Sequence, residues 1–293
     1  MGMRESLRDR LFRLFRLAMT GVLLLLAVVM MIPLLSVLAL SFSSKAAADM
    51  NAVNLLPVGF TFDSWRYILS NRDIWRSFFI TVIATVSGVV LSLAITSLFA
   101  YPLSKKEFKA SKLLMIVALI TMVFKAPVVP YFLTLKNIGL FNNPLVLVLP
   151  QILTAYNMII MRSFFQQFPA EVEEAAMIDG ASRFKVFYQI VLPSSKAVLA
   201  TVGLFYGVTL WNQFQHPMMF IQDMKLFPLQ MKIRQLIGSG SELQNVAASV
   251  NVNYSDRTLQ AVVVVFAILP IIAVYPFIQK YFTKGAMLGS VKG

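Results

Sequence analysis

The chain has 293 residues, 58% of them hydrophobic and only 13% charged, where a soluble domain usually carries about 25% charged residues. It holds no cysteine and a single histidine, His216, which excludes disulfides, thiolate metal sites and cysteine nucleophiles and leaves almost no material for a histidine metal cluster or a Ser-His-Asp triad. The net charge of +13 comes without the exposed aromatics that a nucleic-acid platform interleaves with its basic groups, so in a chain built of long apolar blocks it reads as the basic bias of the cytoplasmic side of a membrane protein, with no nucleic-acid partner.

The chain opens on "RESLRDRLFRLFR", a basic cytoplasmic segment over 1–16. The apolar run at 17–42 is longer than the core of a signal peptide and no small-residue cleavage site closes it, so it is expected to remain as a first span. A span needs about 20 mostly apolar residues, and five more runs qualify, at 78–101, 113–135, 145–165, 197–214 and 258–282. The expected fold is therefore an all-α membrane protein of six transmembrane helices. The segments 43–77 and 216–257 become periplasmic loops, the first carrying the amphipathic stretch "FDSWRYIL", and 283–293 a cytoplasmic tail. Basic residues bear on the orientation. Lys105, Lys106, Lys109 and Lys112 follow the second span, Arg162, Arg183, Lys185 and Lys196 lie around the fourth connection, and Lys280, Lys284 and Lys292 close the chain. This bias places both termini inside.

The fourth connection, 169–193, is the polar exception: "PAEVEEAAMIDGASRFKVFYQIVLP". Pro169 suits a first helical turn, and Glu171, Glu173 and Glu174 follow where the helix dipole favours anions. Gly180 is placed to end the helix in a left-handed conformation and Ser182 to cap the next one. Phe184, Phe187, Tyr188 and Val191 recur at helical spacing as one aromatic face, and Pro193 is expected to stop the second helix. Ala175 and Ala176 leave room for close approach, and the acids suit a protein partner better than anionic lipid. A hairpin resting on the lipid surface is the alternative.

Glu174-Ala175-Ala176, then Gly180, Ile190 and Leu192-Pro193, resembles in type and spacing the "EAA" signature of binding-protein-dependent ABC importer permeases. The likeness runs from about residue 60 to the end, and "LFPLQMKIRQL" with the ending "YPFIQKYFTKGAMLGSVKG" is similar to the subgroup importing oligosaccharides and polysaccharides, to which the alginate importer belongs. The resemblance implies a type I importer permease fold in a bacterial inner membrane. The partners it implies are a second homologous permease, two cytoplasmic ATPase subunits, a periplasmic solute-binding protein and a saccharide, acidic as in alginate. It implies that Glu173, Glu174, Ala175, Ala176, Asp179, Gly180, Ile190, Leu192 and Pro193 form the element that couples to the ATPase. ATP and Mg then belong to the partner ATPase, since the chain has no GxxxxGK(S/T) phosphate loop, and the chain itself is a pore subunit without catalytic or metal-binding residues. An ion- or proton-coupled secondary transporter is the alternative, but it calls for buried acids on several spans, and all 13 acids fall outside the spans.

Polar residues within spans are functional candidates by default. Lys125, beside Pro127 and Pro130, reads either as a cation facing a cavity, suited to an acidic sugar, or as a lysine snorkelling to the interface. Asn157 and the Trp211-Asn212-Gln213 cluster offer amides and an aromatic plate for sugar recognition. Asn157 can equally bond a neighbouring helix, and Trp211 can belong to an interfacial belt. His216, before Pro217, reads as an interface residue.

Overall fold

The computed structural model describes the backbone of residues 2–238 and 254–290 and the side chains of 12–236 and 254–276. The middle of the expected second periplasmic loop, 239–253, lies outside the described residues, as do the last three residues of the tail. Among the described residues every regular element is helical. Three helices hold stretches long and apolar enough to cross a bilayer, at Phe12–Ser41, Arg72–Ser104 and Asp256–Pro276, and three bent helix pairs bring the number to six if each pair is one span.

The chain forms two compact units, 1–71 with 235–268, and 72–234 with 269–293. In the first unit α1 (Gly2–Ser41) is followed by α2 (Lys45–Asp49) and α3 (Asp63–Ser70), and the last helix, α12 (Asp256–Ser290), begins there. From Phe12 to Leu35 the side chains of α1 are exposed all round, as befits a helix whose apolar surface meets lipid or another subunit. Beyond it the chain is tied down. Ser43 Oγ donates to the Ala39 carbonyl at 2.7 Å and accepts from the Val58 amide at 3.1 Å. Phe42 stacks on Trp65 and on Phe60, at 5.5 and 5.7 Å between centroids. Ser64 Oγ donates to Thr258 Oγ1 at 2.8 Å, and the Tyr67 and Tyr254 rings meet at 4.7 Å.

The second unit is organised on α4 (Arg72–Ser104). Its buried face, Ser77, Thr81, Ala84, Gly88, Ser92, Thr96 and Ala100, repeats every three or four residues and is made of small side chains, the composition that lets membrane helices approach closely. Two helices occupy that face, α7 (Ala155–Gln166) and α11 (Lys196–Trp211). Gly88 receives Leu210 and Gly203 receives Leu93, so that a Cβ on either glycine would stand 2.5 Å or 3.3 Å from a leucine methyl of the other helix. Tyr206, 1% exposed, places its hydroxyl 2.7 Å from Thr96 Oγ1 and accepts the Thr154 amide at 3.1 Å. Tyr206→Phe strands both groups in an apolar interior and is expected to cost about 1–3 kcal/mol, measurable as a lowered unfolding temperature in detergent.

Three expected spans are not single straight helices. The third, 113–135, is α5 (Ser111–Val123) and α6 (Val128–Asn137), bent by 116°. Pro127, at ψ 148°, ends the extended break and sets up α6, while Pro130 falls in the first turn of α6, where a missing N–H costs nothing. In the fourth, Pro144 and Pro150 enforce two 3₁₀ turns before α7, with a 47° bend. The fifth continues backward into the hairpin. Here α9 (Arg183–Val186) runs through a π turn, Phe187–Val191, into α10 (Leu192–Ser194), and the 79° bend comes at Ser195, before α11. Pro193 therefore does not stop the helix. It lies at the start of α10, where its ring is tolerated, and the break falls two residues later.

Candidate functional site

The first hairpin helix is α8 (Ala170–Ile178), led in by Pro169 at ψ 123° and carrying Glu171 and Glu173 in its first turn. It ends in a paired closure. The Ala181 amide donates to the Ala176 carbonyl at 3.0 Å and the Gly180 amide to the Met177 carbonyl at 3.1 Å, with Gly180 at φ +84°, the arrangement that satisfies the last carbonyls of a helix. Ser182 Oγ then accepts the Lys185 amide at 3.3 Å and opens α9.

The surface this corner presents is mixed. Glu174, Ala175, Asp179 and Gly180 are exposed, and beside them stand Ile178 (86% exposed), Phe184 (67%) and Tyr188 (62%). Large apolar side chains at that exposure mark an interaction surface. The expected single aromatic face is divided. Phe187 and Val191 turn inward and join Met161, Phe165 and Tyr206 in the core, while Phe184 and Tyr188 point out. The stripe lies astride the boundary, so its two edges meet different surroundings. Ile190 and Leu192 are half-buried against the same core, and Pro193 is exposed.

Glu173 departs from its neighbours. Grouped in the sequence with the outward coupling residues, it is buried, at 6% exposure. Its Oε2 accepts the Tyr101 hydroxyl at 2.9 Å, and its Oε1 pairs with the Lys105 ammonium. Helix α8 rolls this one acid into the interior against the end of α4 while Glu171 and Glu174 stay exposed. The Tyr101 ring is held by Phe187 at 4.8 Å and Phe165 at 6.0 Å, and Lys105 lies over it at 4.6 Å. Nearby, Arg162 Nε donates to the Leu103 carbonyl at 2.8 Å, as does Ser111 Oγ at 2.7 Å. A cleft of about 830 Å³ opens here, lined by Tyr101, Lys105, Phe108, Phe168, Glu174 and Arg183 among others. Sequence reading missed Tyr101, Lys105 and Arg162 as parts of one site. The available signal was a tyrosine and a lysine one turn apart at the end of a span.

The candidates in the spans do not share a surface. Lys125 is exposed in the four-residue break between α5 and α6, outside any helix, because Pro127 holds the chain extended. Asn157 is 5% exposed on α7, with no partner for Oδ1 among the described residues. Trp211 is 7% exposed and meets Phe78 edge-on at 6.1 Å. Gln213, 8% exposed, donates to the Leu147 carbonyl at 3.1 Å. Asn212 is exposed, donates to the Val208 carbonyl at 2.9 Å and accepts from Gln230 at 3.4 Å. His216 Nε2 lies 2.8 Å from the Tyr131 hydroxyl. Burial holds this imidazole below its usual range, opposed in part by the Val146 backbone. Its neutral form therefore favours the fold above the ordinary histidine pKa, a contribution that fades as pH falls.

The sequence pattern described as "Binding-protein-dependent transport system inner membrane component" matches residues 56–287. The chain belongs to this family. It is 37% identical over 283 residues to the polygalacturonan/rhamnogalacturonan transport system permease protein YtcP of Bacillus subtilis (strain 168), across 96% of this chain and 99% of that protein. It is 28% identical over 278 residues to the diacetylchitobiose uptake system permease protein NgcG of Streptomyces coelicolor (strain ATCC BAA-471 / A3(2) / M145), across 93% and 87%. It also matches, at 31% identity and a TM-score of 0.86, a chain in the crystal structure of a bacterial ABC transporter involved in the import of the acidic polysaccharide alginate, covering 92% of this chain and 97% of that one. This binding-protein-dependent permease is thus a multi-pass membrane subunit of an ABC importer. Transport is its task and ATP hydrolysis that of a partner ATPase, which sets aside the ion-coupled alternative.

Proposed function

We propose that the chain is the inner-membrane permease of an importer for an acidic oligo- or polysaccharide, with both termini in the cytoplasm. It pairs with a second homologous permease, two ATPase subunits that hold ATP and Mg, and a periplasmic binding protein. ATP closes the ATPase pair, the hairpin of α8 and α9 follows, and the spans change from inward- to outward-facing. Driving such a gate from 1:99 to 99:1 needs about 5.5 kcal/mol of differential binding, and the outward surface of Glu174, Ile178, Phe184 and Tyr188 is where that energy would enter this chain.

The observation that carries the hairpin's role is a polar, acidic corner whose largest apolar side chains are nevertheless exposed. The uronate character of the cargo is supported by relatives named for polygalacturonan and alginate, and within the chain by Lys125, a cation exposed in a broken helix pair. In the reconstituted complex with its binding protein, oligogalacturonides are expected to stimulate ATP hydrolysis and neutral oligosaccharides of equal length to do so weakly. Lys125→Ala is expected to raise the half-saturating uronate concentration by about 10-fold, as expected from losing a charge-assisted contact, with maximal rate little changed. Equal stimulation by neutral and acidic oligosaccharides would refute the uronate assignment.

A further inference from the structure

We propose that Glu173 is a positioning residue that locks the coupling hairpin to the end of α4, so that this span follows the hairpin as directly as the spans joined to it in sequence. The inference rests on the permease reading given above. Covalently, the hairpin is continuous with α7 through Gln167–Pro169 and with α11 through Ser195. The first joint is a non-helical break and the second, at Ser195, a bend of 79°. A bend transmits a push poorly, because a small rotation at the joint absorbs it. The link to α4 is of another kind. One carboxylate spends both oxygens at the end of α4, on the Tyr101 hydroxyl at 2.9 Å in its last turn and on the ammonium of Lys105, the residue that follows the helix.

The receiving end is rigid. Tyr101 is wedged between Phe165 and Phe187, and the Leu103 carbonyl takes Arg162 of α7 and Ser111 from opposite sides in the sequence. Among the described residues Glu173 is the only buried acid. A buried charge is costly unless paired and hydrogen-bonded, and its pairing is then stringent in geometry. A residue needed only to fill space would be apolar here, and one that docked the ATPase would be exposed, as Glu174 is.

The chain lacks cysteine, so Lys106→Cys and Glu171→Cys place two spin labels on exposed positions at either side of the lock. They are read in the complete importer, purified with its partner permease and ATPase, first without nucleotide and then trapped closed with ATP and vanadate. The expected result is one narrow distance peak, unchanged between the two states. With Glu173→Ala the nucleotide-free peak persists and the trapped state loses it to a broad distribution. A merely structural role would disturb both states alike. Exchanging the charges, Glu173→Lys with Lys105→Glu, is expected to restore the narrow peak. Tyr101→Phe keeps the ring contacts, removes one of the two bonds and carries the test if the alanine variant fails to assemble. A distance that changes on trapping in the complex bearing only the labels would overturn the lock, as would Glu173→Ala and Tyr101→Phe complexes whose trapped peaks stay narrow. Absence of any associated ATPase would instead count against the permease assembly itself.

Discussion

Gly180→Pro is expected to abolish saccharide uptake while leaving the permease in the membrane at normal amounts. Proline fixes φ near −65°, whereas Gly180 stands at +84°, so the corner between α8 and α9 cannot keep its form. The substitution also deletes the amide that donates to the Met177 carbonyl at 3.1 Å. Left-handed geometry alone costs a residue with a Cβ about 1–2 kcal/mol, and the lost hydrogen bond about 1 kcal/mol more. Gly180 itself is exposed and stands outside the core around Tyr206, Phe165 and Val202. Gly180→Ala, which meets no steric neighbour within 4 Å, incurs only the backbone term and is expected to retain part of the activity. Uptake into cells and immunodetection in the membrane fraction measure the two quantities. Normal uptake by the proline variant would remove the corner from the mechanism.

The second large effect is expected for Glu174→Lys. This side chain is exposed, and no hydrogen bond or ion pair ties it to the described part of its own chain, so reversal should leave the fold intact. It lines the cleft with Lys105, Arg183 and Phe184, at the edge of the exposed hairpin surface proposed to meet the ATPase, where it is expected to pair with a basic group of that subunit. Losing one partner of a desolvated interface charge pair costs about 2–5 kcal/mol. ATPase association is therefore expected to weaken by about 30-fold or more, seen as loss of co-purification. The adjacent acid offers a contrast. Glu173→Ala should leave association in place and disturb only the transmission of motion, so two neighbouring carboxylates should separate docking from coupling.

How much of this was legible beforehand differs from element to element. The membrane class and the location of the hairpin followed from where the apolar blocks stop and the acids begin. The corner at Gly180 was legible because one residue type suits its backbone. The breaks were not. Lys125 sat in an apolar run long enough to span, and only the coordinates place Phe124 to Pro127 between two helices at 116°. The continuation past Pro193 was hidden for the opposite reason, since a proline at the start of a helix and one at its end look alike in sequence. Glu171, Glu173 and Glu174 share composition and helix turn. Which of them faces inward depends on the roll of α8 against α4, a long-range property that local spacing does not encode. The amides at Asn157 and Gln213 were legible as polar groups within spans, but their burial by their own chain was not, because helix periodicity reports which residues share a face and not what that face meets.

The two leucines seated on opposite glycines carry a consequence for the transport cycle. Leu210 rests on Gly88 and Leu93 on Gly203, so the antiparallel helices α4 and α11 are engaged like meshed teeth at two depths. Shear between them by one helical turn, about 5.4 Å, would carry Leu210 off Gly88 and against the Cβ of Ala84 or Ser92, where the glycine's clearance is lost. Two such engagements, with Thr96 and Tyr206 joined as well, also oppose rotation of one helix without the other. The pair is therefore expected to travel as a single lever arm, with the flexing of the cycle taken up at the bends on either side of it.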